Sequence, residues 1–246
     1  MRKLIFISIF AITILACRPA LYQVQNAEKS RIFISDSLES SEKILTLIQP
    51  YKMSMDSLLN RELAYSPIAL DYEGANTVLG NFITDLMMEE SNEIYRKKHP
   101  GKRIDIVLMN RGGLRRSFGP GYLSVRSMYE LMPFENEAVV VTMTGEKLYE
   151  MVSFLRQSSK NHPVSGLKFN KNSDDKDFLI NGEKYDSNRN YRILTNDYLQ
   201  NGGDQMRFFL DPVDVEYLQI RLRDMYINYL EKIDTIQVNS DLRYIE

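Results

Sequence analysis

Ile104-Asp105-Ile106-Val107-Leu108-Met109 runs directly into Asn110-Arg111-Gly112-Gly113-Leu114-Arg115, and this junction decides how the rest of the chain reads. The apolar, branched run has the length and content of a buried strand. Paired glycines after a strand let the backbone turn tightly and approach a ligand closely, while the neighbouring Asn and Arg supply hydrogen-bond donors. Taken alone, the junction reads first as an ordinary tight turn with a solvated arginine, because an isolated glycine motif is weak. Nineteen residues beyond Arg115, Phe134 presents an aromatic ring in a turn bounded by Pro133.

Working outward, Asn76 to Lys98 is the clearest helix, with Val78, Leu79, Phe82, Ile83, Leu86 and Met87 at helical spacing on one face. Asn76 is placed to cap its start, and Lys97 and Lys98 suit the C-terminal end of its dipole. Leu38 to Asn60 also reads as helical, interrupted at Pro50, with Ile44, Leu47, Ile48, Met55, Leu58 and Leu59 as core positions. Downstream, Ser124 is expected to cap a short helix through Met128, placing Phe134 just beyond its end. Glu137 to Met143, carrying Val139, Val140 and Val141, reads as a buried strand. Thr144-Gly145 then opens a helix that buries Leu148, Met151, Val152 and Leu155. Leu167–Asn170 and Phe178–Ile180 read as short strands, with Asn181-Gly182 as a hairpin turn. Tyr191–Thr195 is a further strand that delivers Asn196 to Asp204 at its end, and Val215–Lys232 reads as a last helix with Leu218, Leu222, Met225, Tyr226 and Tyr229 inward. Interleaved helices and strands predict an α/β class, a mixed sheet with flanking helices.

The N-terminus reads separately. Arg2 and Lys3 precede an uncharged, largely apolar run from Leu4 to Ala16, too short to span a bilayer comfortably and suited to a signal peptide over residues 1–16. It ends at Cys17, the only cysteine in the chain, in a context that resembles the bacterial lipobox, where the cysteine becomes the lipidated first residue. An ordinary secretory signal or a buried thiol is the plainer alternative. Residues 17–37 then form a lipidated, polar tether, with a short strand at Arg31–Ile34, and residues 38–246 form the domain. Lipidation at Cys17 implies a bacterial cell-envelope protein on the periplasmic side of a membrane or at the cell surface. With 31 basic and 33 acidic residues, no net field points to a nucleic-acid polymer or a polybasic membrane surface.

Five blocks follow one another along the chain: Asn110 to Arg115, Pro133-Phe134-Glu135-Asn136, Thr144-Gly145, Ser165-Gly166-Leu167, and Tyr198 leading to Gly202-Gly203-Asp204. Their order resembles the C-terminal, substrate-binding domain of the 5'-nucleotidase/UDP-sugar hydrolase/cyclic phosphodiesterase family, and Leu79-Gly80-Asn81-Phe82-Ile83-Thr84-Asp85 resembles that family's upstream helix. The likeness covers roughly Asn76 to Phe209. It implies the family's mixed α/β fold, and it implies roles. Phe134 and Tyr198 match the two aromatics that sandwich the base. Asp204 matches the carboxylate that accepts from the ribose hydroxyls, and Arg115 the arginine that reaches ribose or phosphate. Asn110 and Asn136 match polar contacts to base and loop, while Gly113 and Gly166 match close-approach glycines. Two departures stand out. Arg111 sits where the family has a small residue, so it either adds a phosphate contact or obstructs the pocket. Ala69 to Ala75, where full-length members carry phosphate-contacting arginines, holds Asp71 and Glu73 and no arginine.

The chemistry of hydrolysis is missing from this pattern. The two histidines, His99 and His162, lie in polar stretches without metal-ligand spacing, and a dinuclear phosphatase centre needs several converging imidazole and carboxylate ligands. No catalytic residue, metal ligand or cofactor is therefore expected in this chain. The expectation is a nucleotide- or nucleoside-binding half of a split 5'-nucleotidase, with a divalent metal pair on a separate metallophosphatase chain. The alternatives are a stand-alone binding lipoprotein without hydrolase activity, or a scaffold whose pocket has decayed.

Overall fold

The structure, a computed structural model, describes residues 28–31, 33–35, 38–173 and 175–245. The signal segment, Cys17 and the first part of the tether lie outside the described residues. Arg31, Phe33 and Ile34, expected in a strand, have no regular structure. The chain divides into two units, Met1–Ile48 and Gln49–Glu246.

Helix α1 (Glu42–Leu59) crosses that division and runs through Pro50 without a break. A proline inside a helix removes one backbone hydrogen bond and disturbs the preceding turn, yet here the helix continues, contrary to the expected interruption. Its apolar positions are not core either. Ile44, Leu47 and Ile48 in the first unit are exposed, as are Met55 and Leu58 in the second, and Leu59 is half-buried. Helical periodicity identifies an amphipathic surface but does not supply a neighbour to bury it.

The second unit is organised by a five-stranded mixed sheet. Its order is β10 (Asp214–Arg221), β4 (Glu137–Met143), β9 (Tyr191–Asn196), β2 (Ile106–Leu108) and β5 (Val164–Ser165). Only β2 and β9 are parallel neighbours; the other three pairings are antiparallel. Val107, Val140 and Leu194 face one core with α2 (Val78–Lys98) and α6 (Leu222–Leu230). Ile106, Leu108, Val139, Val141 and Ile193 face the other core with α4 (Gly145–Gln157). This two-residue alternation between two covered faces explains why the strands are continuously apolar in sequence.

A second sheet contains β6 (Leu167–Asn170), β7 (Phe178–Ile180), β8 (Glu183–Lys184) and β11 (Tyr244–Ile245), and β1 (Glu62–Ser66) pairs with β3 (Gly121–Ser124). Asn181 and Gly182 both have positive φ, 50° and 83°, as a two-residue hairpin turn requires.

Two local expectations change. Thr77, not Asn76, caps α2, its hydroxyl accepting from Gly80 N at 3.1 Å. Asn76, at φ 50°, instead fastens the C-terminal strand, accepting from Tyr244 N at 2.8 Å and donating to Tyr244 O at 2.9 Å. The expected helix over Val215–Lys232 is half strand: β10 pairs Val215 with Val141 and Tyr217 with Val139. Gln219, at φ 58°, lies in an irregularity of that pairing, which resumes at Arg221 opposite Glu137 just before α6 begins. Leu218, Leu222, Met225 and Tyr226 are buried as expected, with Tyr229 half-buried, but a shared burial pattern concealed the change of backbone.

Candidate ligand-binding site

The topology places three sequence-distant loops at one end of the central sheet. β2 and β9 are parallel, Val107 opposite Leu194, so the turn after β2 and the segment after β9 leave the sheet on the same side. β4 is antiparallel to β9, with Ala138 opposite Asn196, so its beginning lies at that same end. Loops at the carboxyl ends of parallel strands are recurrent ligand positions. A bond from Glu137 N to the Asp197 carboxylate, 3.2 Å, ties the β4 and β9 loops together.

Each loop has a local reason for its shape. After β2, Arg111–Gly113 forms one 3₁₀ turn. Ser124 caps α3 (Val125–Leu131) with a capping box to Ser127, and Phe134 follows three residues after the helix ends. After β9, Asn196 caps the short helix α5 (Asp197–Gln200), its side chain accepting from Leu199 N at 2.8 Å. This presents the Tyr198 ring outward. Gly202 at φ 83° and Asp204 at φ 50° then return the chain beneath that ring.

These loops enclose a cavity of about 450 Å³ lined by Asn110, Gly113, Arg115, Phe134, Asn136, Tyr198 and Asp204 among others. The half-buried Asp204 carboxylate accepts from Asn110 Nδ2 at 2.7 Å. Tyr198 accepts from Asp204 N at 3.1 Å and donates to the same carboxylate at 3.4 Å. The Tyr hydroxyl thus connects an aromatic wall to the acidic group. Phe134 and Tyr198 are exposed to 43% and 49% and belong to neither core, so both ring faces are open to the cavity side. Met132 and Asn196 also line the cavity, as does Lys160, a cation that sequence reasoning missed. Its only advance signal is its position five residues before Ser165.

Gly166 departs from the expected group. At φ 74° it packs against the Asp105 carbonyl and lines a separate polar cleft with Asp85 and Asp241. Its close approach is to backbone, at the link where β5 of the central sheet passes into β6 of the second sheet. Arg111 does not line the cavity; its guanidinium lies 5.1 Å from the Tyr72 ring centroid. Its backbone N–H donates to His162 Nδ1 at 3.2 Å, so a neutral imidazole behind the turn carries its proton on Nε2. Burial pushes that imidazole down to about 4.

The family described as 5'-nucleotidase, C-terminal domain, matches residues 63–211, well over half of the chain. The chain belongs to that family. The trifunctional nucleotide phosphoesterase protein YfkN of Bacillus subtilis is 25% identical over 86% of this chain and 15% of its own length. A 5'-nucleotidase of Vibrio parahaemolyticus is 22% identical over 87% of this chain and 38% of its own length. The crystal structure of the 5'-nucleotidase precursor from Thermus thermophilus superposes with a TM-score of 0.67 at 23% identity, over 83% of this chain and 42% of that one. The chain thus spans less than half the length of these relatives, and the likeness fixes the fold of this portion.

Proposed function

We propose that this protein is the nucleotide- or nucleoside-binding half of a split 5'-nucleotidase, completed by a separate metallophosphatase chain. The observation that carries this reading is the convergence of Phe134, Tyr198 and Asp204 on one cavity. An aromatic face contributes roughly 1–3 kcal/mol per stacked base. Asp204 is the acceptor for a ribose diol, and a charged acceptor strengthens those bonds. Arg115 and Lys160, both exposed at the cavity, are the cations for phosphate oxygens. Asn110 holds Asp204, and Asn136 offers a neutral polar group to the base or its loop.

The described residues do not fit a metal pair. No group of three or more His, Cys, Asp or Glu side chains among them is arranged to hold an ion. His99 is engaged with Glu216 at 2.6 Å, and His162 with the Arg111 amide. In this proposal the divalent pair and the hydrolytic step belong to the partner chain. Cell-envelope placement through a lipid on Cys17 belongs to the same proposal; no helix among the described residues is long and apolar enough to cross a membrane.

Calorimetric titration with AMP and then adenosine tests the binding role, with Phe134→Ala/Tyr198→Ala as the control. Saturable heat that the double variant loses is the expected result; equal heat in both proteins refutes the assignment of these rings. Mixing with a candidate metallophosphatase chain tests the split. A raised nucleotidase rate supports it, whereas full binding of AMP with no association between the chains favours a stand-alone binding protein.

A further inference from the structure

Arg223 is buried to a side-chain exposure of 2% and lies on α6, behind the turn that carries Phe134. Its Nη1 donates to the carbonyls of Met132 and Phe134, each at 3.2 Å. Its Nη2 pairs with the Glu135 carboxylate. The guanidinium carbon lies 4.0 Å from the Tyr129 ring centroid, and Nε has no partner among the described residues. Burying a cation is costly, and an apolar side chain of similar volume commonly serves a core as well. What an apolar side chain cannot do is bridge two carbonyls and a carboxylate at once, which the planar guanidinium fork is shaped for. Pro133 in this turn has no N–H to contribute to holding it. Glu135 adds an outer clasp, its second oxygen 3.0 Å from Arg221 Nε.

We infer that Arg223 is a positioning residue, fixing the pose of Phe134 at the cavity by holding the Met132–Glu135 turn from behind. Its importance for ligand rests on Phe134 being a stacking ring, as proposed above; its hold on the turn does not. Two readouts therefore separate the claims. The chain contains no tryptophan, so Phe134→Trp gives a protein whose single indole reports on this turn. In that background, Arg223→Met, Arg223→Lys and Glu135→Gln are compared by acrylamide quenching and fluorescence anisotropy without ligand. Far-UV circular dichroism confirms folding, and AMP titration follows.

Arg223→Met is expected to raise quenching and lower anisotropy while the fold persists, with Arg223→Lys intermediate and Glu135→Gln moving the same way by less. If the ring stacks on base, the AMP Kd rises in the same order, by about 5- to 150-fold for loss of one stacking contact. Should Arg223→Met fail to fold, Arg223→Lys and Glu135→Gln decide. Unchanged quenching and anisotropy in the folded variants overturn the inference. Altered fluorescence with no AMP binding in any protein, wild type included, leaves Arg223 as the turn's holder and removes the nucleotide reading. AMP binding that is equal throughout, with fluorescence altered, overturns the role of Arg223 in the site.

Discussion

Gly203→Ala is the smallest change that tests whether the Tyr198 ring works as a wall of the cavity. A Cβ at this position would lie 2.5 Å from Tyr198 Cε1, 2.6 Å from Cζ and 2.6 Å from the Tyr198 carbonyl oxygen. The ring is half-exposed and has room to swing, but the carbonyl is backbone of the capped turn after β9. A swing of the ring relieves only the first two contacts, so the turn between Tyr198 and Gly203 must also open, and the ring leaves its pose with it. Forced overpacking of this kind costs about 1–3 kcal/mol. Loss of one stacked face costs a similar amount in binding, roughly 1–3 kcal/mol, or about 5- to 150-fold in Kd. Gly112→Ala is the matched control. Its Cβ would meet only Asn110 Nδ2 at 3.6 Å and Asp204 Oδ2 at 4.0 Å, ordinary contacts in the same cavity. Calorimetric titration of AMP into both variants, beside a thermal melt of each, provides the assay. A Gly203→Ala protein that binds AMP as tightly as Gly112→Ala refutes the reasoning, because the displaced ring would then be irrelevant to the ligand.

Further predictions address other parts of the structure. Tyr198→Phe keeps the stacking face but removes the hydroxyl that bonds Asp204 at 3.1 and 3.4 Å; AMP affinity should fall by about 2- to 12-fold, the equivalent of roughly 0.5–1.5 kcal/mol, and an unchanged Kd by calorimetry would show that hydroxyl to be idle. Gly145→Ala places a Cβ 2.5 Å from the Ser187 carbonyl oxygen, far from the cavity; it should destabilise by about 1–3 kcal/mol in chemical denaturation while leaving AMP binding intact. His162 gives a pH dependence. Its imidazole is held at about 4 by burial against an ordinary value of 6.5, so as pH falls below about 6.5 the unfolded chain takes up the proton first. Stability contributed by the neutral ring is complete above that value and is lost progressively down to about 4, by roughly 3 kcal/mol in all. Denaturation curves of His162→Asn, which keeps an acceptor for the Arg111 amide, should show a shallower acid loss over that window, and an unaltered slope would rule the residue out.

The parts of this fold that were legible in sequence are those where local pattern and tertiary demand coincide. The valine-rich β4 and the α2 and α4 stripes read correctly because both helices have a sheet face to pack against. The glycine-rich turn read correctly as a turn because its shape is set by residues within it. α1 misled because amphipathicity says nothing about the neighbour. β10 misled because Leu218 and Leu222 satisfy helical spacing while pairing with β4, a contact from across the chain, decides the backbone. In the site, Gly166 illustrates the same division: positive φ and close approach are real, but only topology reveals that the approach is to Asp105. Lys160 and His162 had no legible role, since the loop that brings them to the β2 turn is ordered by non-local bonds. One of these runs from Met109 N to Pro163 O at 2.9 Å.

The two departures from the family pattern become intelligible together. Arg111 and the Ala69–Ala75 stretch lie beside one another rather than in the cavity, with the guanidinium over Tyr72. Asp71 is held below the usual carboxylate range chiefly by the Ser117 hydroxyl at 2.7 Å, with the Glu73 amide and the charge of Arg111 adding to it. The extra arginine is thereby occupied by an aromatic face and a nearby anion, and neither blocks the pocket nor reaches across it. Arg115 and Lys160 are left as the cations lining the cavity, and Asp204, the one carboxylate lining it among the described residues, already accepts from Asn110 and Tyr198. A neutral nucleoside would leave both cations solvated. Under the proposed function a phosphate group would give them a partner, so AMP is expected to bind more tightly than adenosine despite the missing upstream arginines, and equal Kd values by calorimetry would refute a role for these two cations.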